Sequence, residues 1–275
     1  MRSKIFAETT ELALSFSGCG FLGIYHFGVL ACLSTNGKVR SKLKRCGGSS
    51  AGSIAATILL LTPHKIQDAL KKFYLLAEEV NGLPLGAFTP GFSLNDRLIS
   101  LVDDHIPSDV SSLQDRLFIS VTNYKSGENK ILSRFNSRDY LVRCITASCF
   151  IPLYSMGSDM MAQPPVIDNE VYIDGGFSNN LPLFDDIPTV TVSPFSGGAV
   201  ISPRDNNPYM PYVEWRVRFR NQEMNVNLRN IMRGAQALFP PSCQLLRNYY
   251  KQGFKDAFAF LIENDILERR EGSSV

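Results

Sequence analysis

The feature that most constrains the fold of this chain is a serine held between glycines at the junction of two secondary-structure elements. Residues 46–53 read CGGSSAGS and run directly into the apolar stretch IAATILLL. A strand that turns sharply into a helix needs small residues where the two elements cross, because a Cβ atom would clash there. The pattern Gly48-x-Ser50-x-Gly52 therefore predicts a strand, a tight turn and a helix in immediate succession.

Two interpretations of this turn are open on these residues alone. It is either a small-residue loop that opens a helix, or an elbow that lifts Ser50 out of the fold as a nucleophile beside the free N–H groups of the helix N-terminus. Ser49 and Ser53 compete for that role, but only Ser50 has a glycine two residues away on both sides. Ser53 is better interpreted as a hydroxyl that opens the helix. The strand before the turn and the helix after it favour Ser50.

Other strand and helix patterns mix along the chain. Alternating apolar residues at 12–18, 117–123 and 189–194 predict strands, and 64–80 has the apolar spacing of an amphipathic helix. With 275 residues, 44% of them hydrophobic, the chain can bury a full core. Strands interspersed with helices favour one α/β domain.

Composition and charge exclude several classes of function. The net charge of +2 is too small for a dedicated nucleic-acid surface, although the segment KVRSKLKR at 38–45 is locally basic. The six cysteines have neither CxxC spacing nor neighbouring histidines, so we expect no metal site and a reducing compartment. No stretch approaches the roughly 18 consecutive apolar residues of a membrane span, and Glu8 and Glu11 interrupt any signal-peptide core. We therefore expect a cytoplasmic protein.

A serine nucleophile needs a proton acceptor, and two kinds are available. No histidine follows His105, so in the order Ser, Asp/Glu, His that α/β-hydrolases use the acid would have to lie between Ser50 and residue 105. His26 and His64 are expected to be packed or surface side chains, and His105, which follows Asp103 and Asp104, is expected at a helix end. The alternative is Asp174 in YIDGGFSNNLP, a carboxylate at a strand end followed by a glycine turn. An aspartate is a weak base and would depend on desolvation. Asp174 is the better candidate, and an ordinary Asp-Gly turn is the competing interpretation.

The segment SGCGFLG at 17–23 also has two interpretations. Its pattern Gly18-x-Gly20-x-x-Gly23 matches a dinucleotide-binding fingerprint, but that fingerprint needs an acidic residue about 20 positions later. The corresponding stretch, GKVRSKLK, contains no acid. The sequence therefore disfavours a nucleotide site and favours a turn whose N–H groups form an oxyanion hole.

Taken in order, SGCGFLG, GGSSAG and DGGFSNN resemble the patatin-like phospholipase family, in the branch of adiponutrin and adipose triglyceride lipase. The stretches CGFLGIYHFGVL, VTVSPFSG, NLRN and QALFPPS extend the resemblance from about Leu12 to Glu268, and it is strongest to the short member-4 type of that branch. The resemblance implies a three-layer α/β/α fold with a central, mainly parallel sheet, no metal, and ester hydrolysis or acyl transfer on lipids. We expect a single patatin-like domain over 1–275, with a core at about 12–200 and a helical part at about 220–268.

The resemblance also implies roles for individual residues. Plant patatins have a basic residue after the glycine run, where this chain has Phe21, which argues against a phosphate contact at this point. Triacylglycerols, retinyl esters and phospholipids all remain possible acyl donors. Carried onto this sequence, the family's nucleophile falls on Ser50, its dyad aspartate on Asp174, its elbow glycines on Gly48 and Gly52, and its oxyanion donors on the backbone of Gly18, Cys19 and Gly20.

Two segments are candidates for contact with lipid. The uncharged stretch NGLPLGAFTPGFSL at 81–94 is either a lipid-facing lid or a loop folded back onto the core, and the apolar stripe at 244–263 is expected to pack against the domain. We expect recruitment to a droplet or membrane surface by apolar contact, with 81–94 as the leading surface. A non-catalytic lipid-binding protein and a histidine-assisted soluble esterase are the rival functions.

Overall fold

The structure is a computed structural model that describes residues 9–157, 159–205 and 215–267. Glu8, Glu268 and both ends of the expected domain lie outside the described residues. Within these ranges, seven strands form a central sheet in the order β5-β6-β3-β2-β1-β7, with β4 beside β3. The strands are β1 (Leu12–Phe16), β2 (Leu43–Ser49), β3 (Leu117–Asn123), β4 (Asn129–Leu132), β5 (Val166–Ile167), β6 (Glu170–Asp174) and β7 (Thr189–Val192).

The two halves of the sheet differ in direction. Strand β1 lies parallel to β2 and β7, and β2 lies parallel to β3. Strands β4 and β6 pair antiparallel to β3, and β5 pairs antiparallel to β6. All five residues of β1 are buried, as expected for a strand covered by helices on both faces. The predicted α/β fold with a mainly parallel central sheet is confirmed.

Helices on both sides of the sheet complete the three layers. Two of them, α1 and α3, are apolar on all sides and lie in the core, whereas α4 is amphipathic and buries one face. Asn and Ser side chains cap the starts of α2, α5, α6 and α7 by accepting an N–H three residues on. The helices are α1 (Gly23–Leu33), α2 (Gly37–Lys42), α3 (Ala51–Leu61), α4 (Ile66–Asn81), α5 (Leu94–Asp103), α6 (Arg138–Ser148), α7 (Leu228–Leu238) and α8 (Cys243–Glu263).

A separate hairpin stands outside the main sheet. Its strands are β8 (Arg216–Phe219) and β9 (Gln222–Asn225), and α7 follows directly after Asn227. The backbone N–H of Asn180 donates to the carbonyl of Arg220 in the hairpin turn, at 2.9 Å. The hairpin is thereby attached to the loop that follows β6.

Most predicted elements are confirmed with small changes at their ends. The predicted helix at 64–80 begins at Ile66, after a short 3-10 turn at 63–65. The 244–263 stripe lies on α8, which packs along α1 as expected. The basic segment 38–45 is divided between α2 and β2, and Arg45 forms an ion pair with Asp186 at 2.7 Å.

Candidate active site

Ser50 occupies the turn between β2 and α3 in a conformation that non-glycine residues rarely adopt. Its φ is 52° and its ψ is −128°. The flanking glycines are required sterically, because a Cβ on Gly48 would lie 2.4 Å from the backbone of Gly52 and one on Gly52 would lie 2.2 Å from the carbonyl oxygen of Phe16. The crossing of strand and helix that the sequence predicts is therefore present.

Hydrogen bonds hold the elbow in this strained conformation. The N–H of Ser50 donates to the Ser148 hydroxyl at 2.9 Å, and that hydroxyl donates to the carbonyl of Ser120 at 2.7 Å. Ser53 Oγ donates to the carbonyl of Ser50 at 2.7 Å. The prediction that Ser53 caps the helix is therefore wrong, because the cap position is Ser50 itself and the Ser53 hydroxyl acts as a donor inside the first turn.

The strand register brings Ser50 and Asp174 together. Ser49 at the end of β2 pairs with Ser120 of β3, and Asp174 at the end of β6 pairs with the next residue, Val121. Because β6 runs antiparallel to β3 while β2 runs parallel to it, the two strands approach from opposite directions and end at the same level. Ser50 and Asp174, which are far apart in the sequence, therefore lie close together in the fold.

Asp174 is buried and receives several hydrogen bonds. Its side chain accepts from the N–H of Gly176 at 2.7 Å and from Ser49 Oγ at 3.4 Å, and only 5% of the residue is exposed. Burial raises the pKa of Asp174 to about 6, and the hydrogen bonds from Ser50, Gly176 and Ser49 oppose that rise. The carboxylate is therefore a stronger base than an exposed aspartate and is still ionised near neutral pH.

Burial separates the two neighbouring serines that contact Asp174. Ser49 is the last residue of β2 and is fully buried. Ser50 opens into a cleft whose lining also includes Asp174 and the turn at Gly18–Gly20. A ligand in this cleft reaches the Ser50 hydroxyl and not that of Ser49.

The glycine turn after β1 lies beside Ser50. The N–H of Gly18 donates to the carbonyl of Asn180 at 3.3 Å, whereas within the described residues the N–H groups of Cys19 and Gly20 have no acceptor. Gly20 has a φ of 52°, and a Cβ there would lie 2.1 Å from the carbonyl oxygen of Ala237. The turn therefore leaves two N–H groups unpaired beside the serine and packs directly against α7.

Asn180 connects this turn to the β8–β9 hairpin. Its side-chain amide donates to the carbonyl of Gly18 at 3.1 Å and to the Gln222 side chain at 2.6 Å, and Gln222 donates to Ser193 Oγ at 2.6 Å. No sequence expectation assigned a role to Asn180, which lies in DGGFSNN, or to Ser148. Position in the same motif as Asp174 was a signal for Asn180; Ser148 had none.

The three histidines lie elsewhere. His26 is buried and donates from Nε2 to the carbonyl of Ser17 at 2.8 Å, and burial lowers its pKa to about 4. His105 Nδ1 donates to the carbonyl of Leu101 at 2.7 Å, and the His105 side chain borders a separate small cavity. Among the described residues, no histidine lines the cleft at Ser50.

The cleft has a volume of about 580 Å³ and a mainly apolar wall. Its polar groups include Ser50, Asp174, the glycine turn, Asn180, Arg220 and Gln222, and a mainly apolar pocket with a limited set of polar groups is typical of a ligand site. No helix in the described part of the chain has both the length and the apolar character needed to cross a bilayer. The apolar wall comprises Ile151, Tyr154, Phe177, Phe195, Val217, Phe219, Met224, Val226, Ile231 and Leu238, among others.

The structure places a serine elbow and a strand-end carboxylate beside a glycine turn of an α/β fold, with no histidine in the described lining of the cleft. Residues 14–187 match the family model described as patatin-like phospholipase. The chain belongs to the patatin-like phospholipase family. That membership confirms the resemblance found in the sequence and carries the general activity of lipid-ester hydrolysis or acyl transfer.

Relatives across the family match nearly the whole chain. It is 39% identical over 260 residues to human patatin-like phospholipase domain-containing protein 4, covering 94% of this chain and 99% of the relative. It is 38% identical over 267 residues to human patatin-like phospholipase domain-containing protein 2, covering 96% of this chain and 51% of the relative. It is 32% identical over 259 residues to a human 1-acylglycerol-3-phosphate O-acyltransferase, covering 94% of this chain and 52% of the relative. The chain thus spans about half the length of the last two.

Proposed function

We propose that this chain is a serine lipid acyl-hydrolase and transacylase that acts on acylglycerols, triacylglycerol foremost, through a Ser50–Asp174 dyad. The observation that carries the proposal is that Ser50 and the buried Asp174 carboxylate line the same apolar cleft, with Ser50 among the groups that lower the pKa of Asp174. Asp174 is the carboxylate beside Ser50 in the described lining, which contains no histidine, and this supports Asp174 as the proton acceptor. This arrangement also argues against the histidine-assisted esterase.

The first half of the reaction forms an acyl-enzyme. Ser50 Oγ attacks the ester carbonyl while Asp174 accepts its proton, and the negative charge moves to the former carbonyl oxygen. The N–H groups of Cys19 and Gly20 stabilise that oxyanion. Gly18, whose N–H is directed to Asn180, supports the turn. The oxyanion intermediate then collapses, the ester bond breaks, and the leaving alkoxide takes the proton from Asp174.

The second half releases the acyl group. Water or a lipid alcohol enters the cleft, gives its proton to Asp174 and attacks the acyl carbonyl, and Ser50 recovers its proton as the product leaves. Transfer to an alcohol is included because one relative is named an acyltransferase. The apolar wall suits the long chains of acylglycerols, and retinyl esters and phospholipids share that acyl chemistry. The proposed location is the surface of a lipid droplet or membrane in the cytoplasm.

Substitution of the dyad tests the proposal. Ser50→Ala and Asp174→Asn should each lower turnover of a short soluble ester by orders of magnitude, because one removes the nucleophile and the other the proton acceptor. An active-site organophosphonate should label Ser50 in the wild-type protein and leave Ser50→Ala unlabelled. Ser49→Ala is the matched control and should keep most of the activity. Labelling at Ser49, or activity that survives in Asp174→Asn, would contradict the dyad.

The pH dependence of activity tests the base. Because Asp174 must be ionised and burial raises its pKa to about 6, kcat/KM should fall about tenfold per pH unit below that value. The same acid limb should persist in His64→Ala and His105→Ala variants. If the fall of kcat/KM at low pH disappeared in either variant, that histidine would be the proton acceptor instead of Asp174.

A further inference from the structure

Helix α7 has its polar face inside and its apolar face outside. The buried residues Asn230 and Arg233 face the protein, whereas Leu228, Ile231 and Met232 are exposed. Leu228 is 71% exposed and Ile231 is 67% exposed. A helix on the surface of a soluble protein usually has the opposite arrangement.

Polar contacts along its inner face, together with the packing of Ala237 against Leu22 and Ala51, hold α7 on the body. Arg233 donates to both oxygens of Asp205, at 2.6 and 3.0 Å. Burial raises the pKa of Asp205, but hydrogen bonds from Arg233 and Ser196 outweigh it and the pKa lies below its ordinary value. Asn230 donates to the carbonyl of Ser196 at 2.8 Å and accepts from its N–H at 3.0 Å. The helix is thus fixed with its apolar side turned outward.

The exposed apolar side continues onto the hairpin. Trp215 is 73% exposed and its carbonyl accepts from the N–H of Val226, just before α7, while Val217 and Phe219 project from β8. We call these side chains together the α7 surface: Trp215, Val217, Phe219, Leu228, Ile231 and Met232. Several apolar residues clustered in this way mark a contact site, whereas single exposed ones do not.

The α7 surface is continuous with the cleft. Val217, Phe219 and Ile231 belong to both, and Ala237 of α7 packs against the glycine turn at Gly20. A lipid phase in contact with this surface would therefore also contact the opening of the cleft. An acyl chain could enter without crossing water.

The charges around the α7 surface are mostly positive. Between residues 215 and 238 the chain has Arg216, Arg218, Arg220, Arg229 and Arg233, and Glu223 is the single acidic residue there. Arg216 pairs with Glu223 at 2.8 Å, and Arg229 and Arg233 pair with Asp205. Apolar side chains bordered by arginine suit the boundary of acyl chains and phosphate headgroups. A partner of this chemistry is a phospholipid-coated surface.

The segment 81–94, the surface expected from the sequence, folds mostly onto the core. Phe92 is buried, and Phe88 packs against Tyr154 and stacks on Phe239. Of its large apolar side chains, Leu85 is the one that is strongly exposed. The segment thus borders the far end of α7 through Phe239 and does not form the main apolar surface.

We propose that the α7 surface docks this enzyme on a phospholipid-coated lipid phase and delivers acyl chains to the cleft. The delivery step rests on the proposed function, and the docking step does not. Apolar contact supplies the binding, and the arginines add attraction to anionic headgroups.

Trp215 is the chain's single tryptophan and reports the docking directly in the wild-type protein. Its emission should shift to shorter wavelength with phosphatidylcholine vesicles, and brominated acyl chains should quench it. Vesicles that also contain phosphatidylserine should bind more tightly, and added salt should remove only that difference. An unchanged Trp215 emission with vesicles would overturn the proposal. A shift that grows with protein concentration in the absence of lipid would also overturn it and would indicate a second copy of the chain as the occupant.

Paired variants test which residues carry the docking. Leu228→Ser with Met232→Ser should weaken vesicle binding at least tenfold, because two large side chains lose their apolar contact. Neither side chain lines the cleft, so activity on a short soluble ester should not change. Leu75→Ser, an exposed leucine on α4, is the matched control and should bind vesicles normally.

The failures of docking and of the dyad can be told apart. Ser50→Ala should bind vesicles like the wild type while losing activity. If the Leu228/Met232 variant binds vesicles as well as the wild type, the docking proposal is wrong whatever the dyad does. If Ser50→Ala stays active and vesicle binding behaves as expected, the docking stands and the proposed function is wrong.

Discussion

Helices α4 and α7 have the same kind of amphipathic sequence and bury opposite faces. In α4 the apolar residues face the core, among them Leu70, Phe73 and Val80. In α7 the apolar residues face outward, and Arg233 and its neighbours face the protein. An amphipathic pattern therefore predicts that a helix has two unlike faces, but it does not predict which face packs against the protein.

Partners elsewhere in the chain decide the orientation. Phe73 of α4 meets Phe21 and Phe27, with ring centroids 6.1 and 5.7 Å apart. Arg233 of α7 meets Asp205, which is distant in sequence. Each helix turns toward the side chains that match its inner face, and periodicity alone contains no information about those partners.

The largest loss of stability is expected from a substitution in the buried face of α4. Phe73→Ala should lower the free energy of unfolding by about 3 to 5 kcal/mol, because it removes a buried ring and leaves a cavity among other aromatic side chains. Urea denaturation measures this. Leu75→Ala on the exposed side of α4 should change the free energy of unfolding by less than about 0.5 kcal/mol. Similar losses for both variants would mean that α4 is not oriented as described.

On α7 the comparable loss should come from a charged residue. Arg233→Ala leaves the buried Asp205 side chain with Arg229, at 3.4 Å, as its remaining ion-pair partner among the described residues. Loss of one partner of a buried pair costs about 3 kcal/mol or more, and the remaining arginine places this case at the lower end. Urea denaturation of Arg233→Ala measures the loss. The double variant Arg233→Met with Asp205→Asn should recover part of the stability, and no recovery would contradict a role for the ion pair.

Two buried carboxyl groups, Asp205 and Asp174, differ in the direction in which their pKa values are shifted. Asp205 has a cation beside it and a lowered pKa, whereas Asp174 has hydrogen bonds alone and a pKa raised to about 6. A carboxyl whose pKa is higher in the folded state stabilises the fold at low pH and loses that contribution as the pH rises through the folded-state value. Wild type should therefore lose stability relative to Asp174→Asn between its ordinary value of 3.8 and about 6.

The size of that loss should be on the order of 2 to 3 kcal/mol, since one pKa unit corresponds to about 1.4 kcal/mol. Urea unfolding of both proteins across this pH range measures it, and the difference between them isolates Asp174 from the other acids. Parallel stability curves would show that burial does not raise the pKa of Asp174.

The parts of the site that the sequence could predict are those that depend on local contacts. Ser50, Gly48 and Gly52 follow from a local steric need, so a short motif revealed their geometry. Asp174 stood out because a carboxylate before two glycines is locally unusual. The meeting of Asp174 with Ser50 depends on the antiparallel register of β6, which one sequence does not encode locally. The fold class was predictable because strand and helix periodicities are local.

Other residues depend on long-range contacts and escaped prediction. Ser148 holds the elbow from the end of α6, and Asn180 joins the glycine turn to Gln222. The segment 81–94 has the composition of an exposed loop, but Phe92 is buried in the core. Hairpin β8–β9 and α7 went unrecognised as a surface, because an apolar stripe normally indicates a buried face.

The smallest effect on stability is expected for the residues that most distinguish α7 from α4. In the absence of lipid, Leu228→Ser should change the free energy of unfolding by no more than about 0.5 kcal/mol, because its side chain is already in water. Leu70→Ser on α4 exchanges the same residue types but leaves a polar group in the core, so it should cost several times as much. Urea denaturation of the two variants tests the pair. If Leu228→Ser were as costly as Leu70→Ser, the apolar face of α7 would be covered in the lipid-free protein, and a docking surface for lipid would not be available there. A small change, together with the loss of vesicle binding, would mean that the sequence retains this leucine for contact with lipid and not for folding.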